Sequence, residues 1–337
     1  MRIWLTYLNA HSKSHSSNHD MRNAFLLSFI CMIYLVLSTK HLSNYLLTDH
    51  FSLEAEFKIE FEVENKHIFM SVKDINQNDD FIRNSVKFAL KYKDYKLVRF
   101  TDDDCMALIE SYYSQFLVTF SQLPFGVMRS DFCRYLIIFH FGGIYIDSDV
   151  KILKNPMYWV PAKINQRIAP QSINAFFSVE AFLPNLYKEY KFSHPYQIVQ
   201  WSFAANKNHP IFLHCLIDIN EAFQANKTKF DDIHNIVELT GPGTMTRAVH
   251  QYINPYIHYN QSFLQQAPVH IKDVYIGPPN TMNCGPRTYE GIQYPCNHLA
   301  AVEHMYAGSW KNPDMKGPHV AANSYSNFLE SALADLN

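Results

Sequence analysis

A chain of 337 residues has room for one domain near the size at which single cores stop growing, plus short appendages, and leaves little space for a second enzyme domain. Hydrophobic residues make up 47%, with 21 Tyr and 25 Phe, which excludes a disordered chain. A formal charge of -2 supplies no basic field for phosphate backbones, so nucleic acid is excluded as a partner and small molecules or glycans are favoured.

The first element is the uncharged run from Asn23 to Thr39, bounded by Arg22 and Lys40. As a helix it would rise roughly 25 Å, close to a hydrocarbon core of ~30 Å, and it predicts a transmembrane signal anchor over 23–39. Arg2, Lys13 and Arg22 precede the run, and Glu54, Glu56, Glu60, Glu62 and Glu64 follow it. The positive-inside rule therefore makes 1–22 a cytoplasmic tail and places the remainder in a lumen. A cleaved signal peptide is the competing reading, although no clear A-x-A site follows. His11, His15 and His19 have helical spacing but lie among Ser and Asn, as a solvated tail rather than a metal site. Residues 40–65 are polar and acidic and read as a stem.

A lumen is oxidising, and that sets how the cysteines read. Cys284 and Cys296 bracket the Gly/Pro-rich stretch NCGPRTYEGIQYPC and predict a disulfide, while the odd count beyond Cys31 leaves at least one thiol over. Asn226-Lys-Thr and Asn260-Gln-Ser are N-glycosylation sequons suited to the same compartment.

From Lys66 short apolar runs alternate with amphipathic stretches, a pattern that loses its regularity from Pro184 onward, where Gly241-Pro242-Gly243 and Gly277-Pro278-Pro279 mark loops. HIFMSV reads as a strand, Asp79 to Tyr92 as a helix and KLVRF as a strand. Then TDDDCMALIESYY reads as a helix with Thr101 as N-cap, an acid three residues on, and Asp102, Asp103 and Asp104 complementing the helix dipole. This βαβα order predicts a mostly parallel sheet with helices on both faces, whose ligands bind beyond the carboxyl ends of the strands.

The stretch Phe125 to Pro156, FGVMRSDFCRYLIIFHFGGIYIDSDVKILKNP, carries the chemistry. Its first half reads as a helix stopped by Gly142 and Gly143, with Asp131 and Arg134 as i, i+3 neighbours on an otherwise apolar element. Ile144-Tyr145-Ile146 is a buried-type strand, and Asp147 and Asp149 follow with period-two spacing. If strand geometry persists, both carboxylates project the same way. Hard oxygen ligands at a strand end suit Mg²⁺ or Mn²⁺ bridging a diphosphate leaving group. IYIDSDV also fits a haloacid-dehalogenase-type phosphatase, in which Asp147 would attack phosphorus and Asp149 would be acid/base. That reading lacks the later acidic metal motif and leaves Arg129-Ser-Asp-Phe-Cys-Arg unexplained.

These residues resemble the glycosyltransferase family with a DXD sugar-binding region, which groups initiation-specific α-1,6-mannosyltransferases with inositol-phosphoceramide mannosyltransferases. Four blocks from Lys66 to Lys311 carry the resemblance. They are Arg129-Ser130-Asp131 to Asp149, Gln200-Trp201 with His209-Pro210, Thr240-Gly241-Pro242-Gly243-Thr244, and His304 to Lys311. The first strand departs from the family's pattern, keeping Lys66 alone, and Glu303-His304 stands where relatives carry two histidines.

The resemblance implies an α/β GT-A type, Rossmann-like nucleotide-sugar-binding fold, a single catalytic domain over 66–337, retention of anomeric configuration and a Mn²⁺- or Mg²⁺-bound donor. By position it implies Asp147, Asp149 and His304 as metal-site residues and Asp131, Arg134 and Asp147 as donor-sugar contacts. Ser309, Trp310 and Lys311 would close over the diphosphate. Gly241 and Gly243 are either a tight turn beside the sugar or a plain connecting loop.

The expected activity is transfer of a hexose, with mannose from GDP-mannose as the first choice, onto a glycan or glycolipid acceptor at a Golgi membrane. Complexes with other glycosyltransferases would suit that location. A UDP-hexose-dependent transferase of the same fold, the phosphatase and a non-catalytic carbohydrate-binding relative are the alternatives. No residue is assigned as nucleophile.

Overall fold

The alternating pattern beyond Lys66 becomes strands and helices in this order: β1 (His67–Ser71), α1 (Asp80–Lys91), β2 (Lys96–Phe100), α2 (Asp102–Tyr112), α3 (Leu117–Gln122), α4 (Gly126–Phe141), β3 (Gly143–Ile146) and β4 (Val150–Ile152). After these come β5 (Ala175–Phe182), β6 (Tyr196–Ile198), β7 (Ser202–Ala205), α5 (Pro210–Ala225), α6 (Ile236–Leu239) and α7 (Pro242–Ile253). The last are β8 (Val269–Ile271), β9 (Val274–Gly277), α8 (Pro279–Met282) and β10 (Val302–His304). The computed structural model describes residues 66–76, 80–160, 173–183, 185, 187–188, 192–254, 268–285 and 294–307. All of them lie in Lys58–Asn337, the second of two units into which the chain divides. The tail, the expected span at 23–39 and the stem at 40–65 fall outside the described residues. No described helix is long and apolar enough to cross a membrane.

Local chemistry explains the elements that frame the site. At the start of α2, Thr101 and Asp104 form a capping box: the Asp104 amide reaches Thr101 Oγ1 at 3.3 Å, and the Thr101 amide donates to Asp104 Oδ2 at 2.9 Å. Helix α4 stops at Gly142 and Gly143, whose φ angles of 66° and 106° lie in the region that side chains disfavour. A Cβ on Gly143 would sit 2.9 Å from the His67 carbonyl oxygen, so this glycine lets β3 enter against β1.

The main sheet has eight strands, in the order β2-β1-β3-β7-β5-β9-β8, with β6 paired to β5. Strands β2, β1, β3, β5 and β9 run one way and β7, β8 and β6 the other, so the sheet is mixed with one dominant direction. Alternate residues feed two cores. Tyr145, Phe177 and Phe203 face the core built with α2, α4, α5 and α7, whereas Ile144, Ile146 and Phe176 face Ile82 and Phe88 of α1, Trp159 and Val302. A separate ribbon pairs β4 with β10 across a long stretch of sequence.

Cys284 and Cys296 are joined, with Cα atoms 4.9 Å apart. A second bridge, which sequence spacing did not suggest, joins Cys105 on α2 to Cys133 on α4, with Cα atoms 5.9 Å apart. Cys215 is buried and free.

Candidate active site

The carboxyl ends of β3 and its parallel neighbours define the edge to which Asp147 and Asp149 belong. The strand stops at Ile146, and a turn closed by the Val150 amide on the Asp147 carbonyl at 3.1 Å follows. The two carboxylates therefore diverge, where continued strand geometry would have aimed them together. Asp147 turns toward α4, and Asp149 toward the β4–β10 ribbon.

On the α4 side, Arg134 is the hub. Its Nη2 lies 3.1 Å from Asp131 Oδ1 and 3.2 Å from Asp147 Oδ1, and its Nη1 donates to the Gln200 carbonyl at 3.3 Å. The guanidinium carbon stands 5.0 Å from the Tyr145 ring centroid, and Tyr145 Oη donates to Asp147 Oδ1 at 2.8 Å. Asp131 also accepts from Gln200 Nε2 at 3.0 Å and from Thr240 Oγ1 at 2.8 Å. Gln200 Nε2 lies 2.7 Å from Tyr135 Oη, which is within reach of the Thr240 and Gly241 carbonyls at 2.9 and 3.1 Å.

This network is buried, and its acids show the cost of desolvation. Burial pushes Asp131 up to about 6 although Arg134, Thr240 and Gln200 all favour its charged form. Asp147 is likewise raised by burial, with Arg134 opposing and Asp149 adding to the rise. One arginine between two carboxylates leaves the cluster one negative charge in excess, with Gln200, Thr240 and two tyrosines to steer hydroxyl groups.

On the ribbon side, β10 runs antiparallel to β4 with His304 opposite Val150, so register alone delivers the histidine to Asp149. His304 Nε2 lies 3.4 Å from Asp149 Oδ1, and Asp149 Oδ2 accepts the Ala307 amide at 2.9 Å. Burial works to raise Asp149, but the His304 contact and the Ala307 amide hold it below the ordinary carboxylate value. The imidazole is clamped by Trp201, stacked at 4.3 Å, and by Tyr306 at 4.0 Å. Trp201 is fixed in turn by its indole N–H on the Met282 carbonyl at 2.8 Å. Glu303 faces away and pairs with Lys151 at 3.0 Å, so it is not a second ligand beside His304.

The described residues contain no cluster of three or more His, Cys, Asp or Glu side chains able to hold a metal ion. Asp147 is engaged by Arg134 instead. Asp149 and His304 offer a carboxylate oxygen and an imidazole nitrogen, donor types that divalent cations accept, with His304 Nε2 and Asp149 Oδ1 3.4 Å apart, and the other ring nitrogen, Nδ1, is buried with no hydrogen-bond partner among the described residues. Two protein ligands with the rest from phosphate and water is the ordinary way such cations bind.

Gly241 and Gly243, read from the sequence as either a tight turn beside the sugar or a plain connecting loop, stand at the N-cap and in the first turn of α7. A Cβ on Gly241 would lie 2.9 Å from Val237 Cα, and one on Gly243 2.9 Å from Glu238 Cα, so the chain's own packing demands both glycines. Gly241 touches the cluster through its carbonyl, on Tyr135. Asn226 is exposed beyond α5. Ser309, Trp310, Lys311 and Asn260 lie outside the described residues.

The side chains of Gln200, Thr240, Tyr135 and Tyr145 and the Trp201–Tyr306 clamp had no assigned role in the sequence reading. Only the membership of Tyr135, Tyr145, Gln200, Trp201, Thr240 and Tyr306 in the motif blocks pointed to them.

Residues 49–168, which include α4, β3 and both aspartates, match the sequence profile of the family described as glycosyltransferase sugar-binding region containing DXD motif. The chain carries the DXD glycosyltransferase region. It is 28% identical over 250 residues to the initiation-specific alpha-1,6-mannosyltransferase of Schizosaccharomyces pombe, covering 69% of this chain and 62% of that protein. It is 23% identical over 310 residues to the protein of the same name from Candida albicans, covering 81% of this chain and 80% of that one. A solved structure, PaToxG Glycosyltransferase, aligns over 60% of this chain and 73% of that chain, with 19% identity and a TM-score of 0.40. The DXD region thus holds Asp131, Arg134, Asp147 and Asp149, while Gln200, Thr240 and His304 come from outside it.

Proposed function

We propose that this chain is a metal-dependent, retaining glycosyltransferase of GT-A type, moving a hexose from a nucleotide diphosphate sugar to a hydroxyl of a glycan or glycolipid. The observation that carries the reading is the adjacency of two unlike sites on one sheet edge. The Asp131–Arg134–Asp147 cluster is suited to hydroxyls, and Asp149 with His304 is suited to a cation on a diphosphate. Mannose from GDP-mannose is the donor of first choice, because the two relatives described above, which match over 69% and 81% of this chain, are named mannosyltransferases.

In this reading Asp131, Gln200 and Thr240 orient the sugar, and Arg134 holds Asp147 in place and offsets its charge. Asp149 and His304 would hold Mn²⁺ or Mg²⁺. When bound, the ion neutralises charge on the departing diphosphate. Trp201 and Tyr306 keep the imidazole from rotating. A type II anchor at 23–39 and a lumenal Golgi location complete the proposal, supported by two disulfides among the described residues, which belong to an oxidising compartment.

The phosphatase alternative fares worse on the same geometry. A nucleophilic Asp147 would need a free carboxylate, and here Arg134 and Tyr145 occupy it.

The test is to incubate the protein with Mn²⁺ and a panel of GDP- and UDP-sugars and measure nucleotide release. Release from GDP-mannose, lost in chelator, is the expected result. Release from a UDP-sugar alone would redirect the donor, and phosphate release from simple phosphomonoesters would overturn the transferase.

A further inference from the structure

The same sheet edge holds one buried acid that the donor cluster does not use. Glu180 lies at the carboxyl end of β5, where the ladder to β6 slips: Val179 pairs with Ile198 and Ala181 with Gln197, leaving Glu180 as the extra residue of a β-bulge. Bulges of this kind re-aim a side chain out of the regular alternation. The Glu180 carbonyl, left out of the ladder, accepts the Asn283 amide at 2.7 Å. Asn283 Oδ1 in turn accepts the Tyr306 hydroxyl, and the Tyr306 ring packs 4.0 Å from His304. The bulge is thus tethered to the wall of the cation side of the site.

The Glu180 side chain is only 9% exposed and has no cationic partner among the described residues. Gln197 Nε2 donates to its Oε2 at 2.8 Å, and the other carboxyl oxygen meets no hydrogen-bond partner among the described residues. Gln197 is itself fixed by the Ser193 amide, which donates to Gln197 Oε1 at 3.0 Å. Burial pushes the acid up to about 8, so near neutral pH it is the protonated form, with an O–H to give. A buried acid with one spare hydrogen-bonding oxygen and no ion pair is a poor structural element and a good hydroxyl-binding one.

We propose that Glu180 is a specificity residue of the acceptor side, its carboxyl hydrogen-bonding a hydroxyl of an acceptor pyranose. This rests on the transferase reading above. The donor and cation groups come from α4, the turn after β3, the 199–201 segment, Thr240 and β10, whereas Glu180 stands on β5. Glu180 makes no hydrogen bond or ion pair to Asp131, Arg134 or Asp147 among the described residues.

The experiment uses methyl α-mannoside as acceptor probe and GDP-mannose as donor, and measures both transfer and acceptor-free donor hydrolysis. Glu180→Leu should raise the mannoside concentration for half-saturation about tenfold or more, while donor hydrolysis and donor KM stay within about twofold of wild type. Glu180→Gln, whose amide can donate from the same place, should stay within about threefold of wild type for the mannoside. Should Glu180→Leu fail to fold, Glu180→Ala adds no bulk and is read the same way.

An unchanged mannoside requirement in Glu180→Leu overturns the proposal. So does a parallel fall in donor hydrolysis and transfer, which marks a structural role, and so does wild-type hydrolysis that the mannoside never diverts. Absence of nucleotide release from every nucleotide sugar in the wild type instead defeats the transferase reading itself.

Discussion

Arg134→Met removes the one cation between the buried Asp131 carboxylate and the half-buried Asp147 carboxylate. The guanidinium is 6% exposed, Asp131 is 3% and Asp147 is 27%, with contacts of 3.1 and 3.2 Å. Breaking a buried pair of this kind costs roughly 3–5 kcal/mol, because the charges left behind have lost their partner. For a domain of this size each kcal/mol moves the melting temperature by roughly 2–4 °C, so a fall of about 6–20 °C is expected near neutral pH.

The pH dependence of that fall is a stricter check. With Arg134 present, Asp131 sits at about 6 against an ordinary 3.8, and without it the folded-state value rises further. A carboxyl raised in the folded state favours folding fully below 3.8 and loses that advantage as pH climbs through the folded value. The gap between Arg134→Met and wild type should therefore shrink on acidification. Scanning fluorimetry near pH 5 and near pH 8 reads this directly. Arg134→Lys should recover only part of the loss, since one ammonium cannot match the fork that reaches both acids. A melting temperature within about 2 °C of wild type would refute the reasoning, as would an equal gap at the two pH values.

Two further outcomes follow from the fold. Gly143→Ala places a Cβ 2.9 Å from the His67 carbonyl at a φ of 106°, so it should cost roughly 1–3 kcal/mol and lower the denaturant midpoint; an unchanged midpoint would contradict the backbone path into β3. Glu180, raised by burial from 4.5 to about 8, favours folding fully below 4.5 and loses that advantage as pH rises to about 8. Glu180→Gln titrates nowhere in this window and should gain on wild type by on the order of 1 kcal/mol per pH unit; denaturant midpoints showing a constant difference would contradict the burial of this acid.

The parts of the site legible in the sequence are those built locally. A helix, two glycines, a strand and an Asp-Ser-Asp turn follow one another within Gly126 to Asp149, and i, i+3 spacing already put Asp131 beside Arg134. What stayed hidden depends on contacts between distant segments. Only the family resemblance put His304 with Asp149, because the three-residue strands β4 and β10, whose register sets them side by side, are too short to show a period. The divergence of the two aspartates comes from a turn that an Asp-x-Asp spacing does not encode.

Gln200 serves Asp131, Tyr135 and the Thr240 carbonyl only because β7 lies antiparallel to β3, which delivers the 199–201 segment to α4. The Cys105–Cys133 bridge likewise needs α2 packed on α4. The bulge at Glu180 is a mismatch between two strands, and nothing in either strand alone announces it.

The central claim is that Asp149 holds a cation that the donor diphosphate shares. Titration calorimetry of GDP with and without Mn²⁺, on wild type and on Asp149→Ala, tests it most directly. Mn²⁺ should strengthen GDP binding to the wild type by about tenfold or more and have no such effect on Asp149→Ala, whose melting temperature stays near wild type. Equal strengthening by Mn²⁺ in both proteins would contradict the account.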